Sequence, residues 1–113
     1  MSPSHLQTFS QLEEGQPKEL EVLLADSYRK IVRVVLRHGE VFADHSTKVP
    51  LLIFCLQGTG SLRVGTEEIP LTPGVLVPLD AGVVHAVEAK PAVALLLTLF
   101  RGTPADEPSP KTP

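Results

Sequence analysis

Apolar residues recur from Val32 to Phe100 in short runs closed by Gly, Pro or Asp, at intervals too close for helices. Arg29 to His38 is rich in Val and Ile, and Leu51 to Gln57 is a compact apolar run. Ser61–Val64 and Glu68–Leu71 alternate around Gly65-Thr66, a hairpin signal. Val75–Leu79, Val83–Glu88 and Pro91–Phe100 follow, separated by Thr72-Pro73-Gly74 and Asp80-Ala81-Gly82. No 3.6-residue apolar stripe competes with this pattern, which predicts an all-β sandwich or closed barrel. Before it the pattern is weaker. Phe9–Glu14 reads as one helical turn or a loop, and Leu20–Ala25 as a short strand, with Gly15-Gln16-Pro17 between them.

Two of the runs, Leu51–Leu56 and Ala92–Phe100, are apolar at odd and even positions alike, whereas a strand with one wet face alternates. Both faces of these strands are therefore expected to be dry. A small barrel hides only its inner face, so the outer face of at least one strand is expected to pack on a second copy of the chain, making a homodimer. The alternative is that the N-terminal thirty residues fold back over that face.

Composition narrows the class. The chain has 113 residues, enough for one domain, and 42% of them are hydrophobic, enough for a core. Ten basic against 13 acidic residues give a net charge of −3, with no basic stripe for a phosphate backbone, so nucleic acid is not an expected partner. The longest apolar run, Ala92–Phe100, is broken by Thr98 and falls far short of the ~20 residues of a bilayer helix, and Met1–Phe9 lacks the basic start of a signal peptide. No membrane role is expected. A lone Cys55 among apolar neighbours reads as a reduced core thiol, which points to the cytoplasm. The expected organisation is an N-terminal arm with the first strand over residues 1–30, a barrel over 31–102, and a disordered Pro-rich tail over 103–113.

Candidate chemistry rests on His45 and His85. Each alone reads best as a structural side chain, but their spacing to glycines changes the weighting. Gly39, His45, Thr47, Leu51 and Gly58 stand at the intervals of G(x)5HxH(x)3-4E(x)6G, with Thr47 and Leu51 in place of the second His and the Glu. Gly74, Asp80, Gly82, His85 and Ala89 stand at those of G(x)5PxG(x)2H(x)3N, with Asp80 and Ala89 replacing Pro and Asn. In both intervals and order the chain resembles a small single-domain cupin of the RmlC-like, conserved-barrel type, with degenerate metal motifs. The resemblance implies a double-stranded β-helix, or jelly-roll-like barrel, commonly dimeric, with functional groups at its interior mouth.

In such proteins the two motifs supply three imidazoles and a carboxylate to a divalent transition metal. Carried over, His45 and His85 are the surviving metal positions, an incomplete set, so a metal is expected to bind weakly or not at all. His38, Asp44 and Asp80 border the motifs without replacing the missing ligands: Asp44 is adjacent to His45 and should face the other way. Cys55 shares the parity of Leu51 but reads as a core hydrophobe, and His5 carries no functional signal.

The leading functional reading is binding of a small organic molecule in a mostly apolar cavity lined by His45, Thr47, Leu51 and His85. A metal-dependent oxygenase or isomerase using His45 and His85 is the alternative enzyme reading; a metal-free version with Tyr28 as acid has little to mark it. A non-catalytic dimeric sensor or interaction module, working through the Pro-rich tail, is the third. Arg29, Arg33, Arg37 and Arg63 are candidates for a rim that favours an anionic ligand, although strand charges most often face water.

Overall fold

In the computed structural model the described residues are Leu12 and 14–102, and all regular structure among them is β. The expected helical turn or loop near Phe9–Glu14 and the expected disordered tail fall largely or wholly outside those residues. The elements are β1 (Lys18–Ala25), β2 (Arg29–Leu36), β3 (Val41–His45), β4 (Leu51–Val64), β5 (Glu67–Leu71), β6 (Leu76–Leu79) and β7 (His85–Phe100). Every pairing is antiparallel, along the path β1-β2-β7-β4-β5, with β3 added to β7 and β6 to β4.

The two long strands make one sheet into two facing halves. The last part of β7 lies between β2 and the first part of β4, whereas its first part lies between β3 and the last part of β4. The β4–β7 register shifts between Cys55 and Gln57 and again between Gly58 and Gly60. Glycine makes this change of direction possible. Gly58 sits at φ +77° with its α-carbon against the Ala92 carbonyl, and a Cβ on Gly60 would stand 2.5 Å from the Glu88 carbonyl oxygen.

Alternation then sorts the side chains. Val32, Val34 and Leu36 of β2 meet Leu51, Ile53, Leu62, Leu71, Val87, Val93 and Leu95 in one buried aliphatic cluster. Members of both halves share that cluster, so the strands enclose a filled interior. Arg33 on the outward side of β2 and Arg37 just after its end are buried rather than solvated. A buried guanidinium has to be paired. Arg37 donates to the carbonyl oxygens of Leu12 and Gln16 (2.8 Å for the latter) and lies 3.0 Å from Glu19, while Arg33 faces Glu21 at 3.7 Å. These contacts fasten β1 and the residues before it to β2. The Gln16 amide and Arg37 together hold the Glu19 carboxyl below its ordinary value. Only Leu51, Ile53 and Cys55 of the Leu51–Leu56 run are fully buried; Leu52, Phe54 and Leu56 on the outer face are half-buried.

Candidate functional site

The site forms where β3, the start of β7 and the end of β4 meet. His45 of β3 stands opposite His85 of β7, and His85 stands opposite Val64 of β4. An irregularity in β3 between Phe42 and His45 decides what surrounds the pair. In a regular strand residues three apart point to opposite faces, but here Phe42 stacks on His45 with ring centroids 4.5 Å apart and planes at 27°. His45 in turn meets His85 at 4.2 Å and 59°. The Lys18 ammonium lies 5.0 Å from the Phe42 centroid, extending the row to β1.

Each ring is oriented by a nearby backbone carbonyl: His85 Nδ1 lies 3.0 Å from Val83 O, and His45 Nδ1 lies 3.3 Å from Ala43 O. His85 is 2% exposed. Burial lowers its affinity for a proton, the Val83 carbonyl partly restores it, and the neighbouring His45 lowers it again. The net result is a pKa below the ordinary imidazole value, which favours the neutral ring.

Beside His85 opens a depression of about 450 Å³ lined by Asp44, Arg63, Val64, Gly65, Val83 and Val84. Arg63 Nη2 lies 3.0 Å from Asp44 Oδ1 across this rim. Asp44 and His45 thus point to opposite faces of β3, as their adjacency requires. Of the four arginines proposed for a rim, Arg63 alone lines this depression. Arg33 and Arg37 are buried against β1, and Arg29 pairs with Asp26 at 2.9 Å.

Thr47 and Leu51 are placed differently from the two imidazoles. Thr47 Oγ1 donates to Val49 O at 2.7 Å, and its carbonyl accepts from Gly82 N at 2.8 Å, tying the β3–β4 connection to the turn that precedes His85. Leu51 lies in the aliphatic cluster opposite Leu79 and Leu99. Cys55 lies there too, its thiol pushed up by burial. His38 is exposed in the turn after β2, in the left-handed conformation at φ 58°. Phe42, Val83 and Val84 are the site residues that spacing to the motif glycines does not reveal.

Among the described residues no group of three or more His, Cys, Asp and Glu side chains is placed to hold a metal ion. Two imidazoles stand where a cation site of this kind needs anionic help: Leu51 has no donor atom, and the Thr47 hydroxyl is engaged by Val49. This donor set does not fit a firmly held divalent ion.

An antiparallel sheet doubled on itself along two long strands, with no helix among the described residues, has the layout of a double-stranded β-helix. A model of the Cupin domain matches residues 32–99, and the chain belongs to the cupin family. A cupin superfamily protein from Desulfitobacterium hafniense superposes with a TM-score of 0.74 at 18% identity, covering 83% of this chain and 84% of that one. An RmlC-like cupin from Desulfovibrio desulfuricans gives 0.72 at 23% identity, covering 86% and 98%. KdgF from a Halomonas species gives 0.69 at 18%, covering 76% and 81%. These likenesses concern the fold alone. No curated protein matches the sequence.

Proposed function

We propose that this cupin binds a small organic molecule in the depression beside His85, with little or no help from a metal. The observation that carries the reading is the imidazole pair. Two rings 4.2 Å apart are each held by a backbone carbonyl, and the almost fully buried one, His85, lines an open hollow together with Val64, Val83, Val84 and the Arg63–Asp44 pair. Such a combination of a mostly apolar wall and few oriented polar groups is what small-molecule sites use. The test is a titration of the chelator-treated full chain with a metabolite panel, followed by the Cε1–H NMR signals of His45 and His85. At least one compound class should move both signals together. If no member of a broad panel moves either, the reading fails.

Self-association belongs to the same reading. The half-buried outer residues Leu52, Phe54, Leu56 and Leu96 form an apolar surface across β4 and β7, which supports a homodimer. Light scattering should give twice the chain mass for the wild type and the chain mass for Phe54→Glu. A monomeric wild type would remove the proposal. The buried, unpaired thiol of Cys55 supports a reducing compartment such as the cytoplasm.

A further inference from the structure

The rim of the depression holds a guanidinium that the chain uses only in part. Arg63 and Asp44 are the only side chains of fixed charge that line the hollow. Arg63 Nη2 donates to Asp44 Oδ1 at 3.0 Å, and among the described residues Asp44 is the sole hydrogen-bond and ion-pair partner of Arg63. An arginine carries five N–H donors in a rigid planar fork. Whichever Nη2 proton Asp44 accepts, the other still pairs with Nε–H or Nη1–H into a two-point edge.

The cross-strand neighbour explains why that edge is left over. Glu68 of β5 stands opposite Arg63 of β4, the position from which a carboxylate ordinarily pairs with an arginine. Glu68 is engaged sideways instead: Ser61 Oγ donates to its Oε2 at 3.1 Å, and Lys90 Nζ lies 3.8 Å from the same atom. Asp44 therefore anchors the guanidinium through one nitrogen, while the acid across the strand pair is held by other groups.

A two-point N–H edge matches the two oxygens of a planar carboxylate. A dianion such as a phosphate monoester would set a second negative charge beside Asp44, at a larger Coulomb cost. Val64, Val83 and Val84 line the same hollow, and Val84 is 55% exposed. Covering these valines with apolar surface is favourable.

Resting on the binding reading above, we propose that the ligand is a monocarboxylate with an apolar body, its carboxylate on the remaining two-point edge of Arg63 and its body against Val64, Val83 and Val84. Asp44 is a positioning residue that holds the guanidinium at the rim.

The experiment follows the Arg63 Nε–H and His85 Cε1–H NMR signals of the chelator-treated, isotope-labelled full chain at pH 7.5. The probes are hexanoate and phenylacetate, their primary amides, phenyl phosphate and hexylamine. At least one of the two carboxylates should move both signals, and its amide should bind about tenfold more weakly. Arg63→Gln should weaken the carboxylate by a similar factor, and Arg63→Lys, which keeps the charge but loses the fork, should recover only part of it. A urea midpoint near that of the wild type in both variants separates loss of binding from loss of fold. Tighter binding of the amides, the phosphate or the amine overturns the monocarboxylate assignment while leaving small-molecule binding intact, as does undiminished carboxylate binding by Arg63→Gln. Silence towards both carboxylates also overturns the assignment, and silence towards a broader metabolite panel removes the binding reading as well.

Discussion

Two halves of one folded sheet use the same inward-facing positions to opposite ends. Where the first part of β4 meets the last part of β7, Leu51, Ile53, Cys55, Val93 and Leu95 are all buried. Where the last part of β4 meets the first part of β7, Leu62, Val87 and Ala89 continue the buried cluster, but the last inward positions hold Val64 and His85, with His45 opposite, and there the packing opens into the depression. The strand geometry is alike in the two halves. Side-chain chemistry alone decides which half is sealed, because aliphatic residues close-pack without directional demands while imidazoles have to be hydrogen-bonded.

The largest expected effect comes from the sealed half. Ile53 lies between Val77 of β6 and Leu97 of β7 and is 1% exposed, so Ile53→Ala should cost about 2–5 kcal/mol in urea unfolding. Val64→Ala, beside the depression, should cost less than about half of that, since its neighbours are already partly solvated. Equal costs would mean that the two halves are equally packed and that the contrast is superficial.

Much of this contrast is legible from the chain itself. Alternation places Val32, Val34 and Leu36 on one face of β2, and Gly65-Thr66 marks the turn between β4 and β5. Spacing brings His45 and His85 together, because equal intervals to glycines encode equal positions in the turns of one barrel topology. The strand boundaries were less legible. Gly58 and Gly60 look like an end to the run from Leu51, yet β4 continues through them to Val64, since glycine there permits close approach to the Ala92 and Glu88 carbonyls instead of stopping the strand. β7 likewise continues across Pro91. β3 has no repeating apolar pattern, and its irregularity puts Phe42 beside His45 against simple alternation. Nor does local sequence show that Arg33 and Arg37 are buried, because their acidic partners and carbonyls come from β1 and the residues before it.

A smaller effect separates the halves by pH. His85 has its folded-state pKa lowered below the ordinary value of 6.5, chiefly by burial. The unfolded chain therefore binds this proton more readily than the folded one. Stability should be at its full value above pH 6.5, decline as the pH falls through that value, and level off below the folded-state pKa. The urea midpoint followed from pH 8 to pH 5 should show this decline in the wild type and a shallower one in His85→Gln. The Ile53→Ala protein, altered only in the sealed half, should keep the wild-type slope. An equal slope in His85→Gln and the wild type would assign the decline to other groups.

The smallest effect is expected at the rim. Arg63 and Asp44 meet at 3.0 Å, but their side chains remain 57% and 67% exposed. Water and salt screen such a pair, and holding two mobile side chains together costs entropy, so its net contribution to folding is about 0–1 kcal/mol. Arg63→Ala and Asp44→Asn should each leave the urea midpoint close to that of the wild type, and added salt should shrink any remaining difference. The rim would then be free to vary in charge without endangering the barrel, whereas the sealed half tolerates little change. A loss comparable with that of Ile53→Ala would instead make the ion pair a structural clasp between β3 and β4, and the division between a packed half and an open half would have to be redrawn with the rim on the packed side.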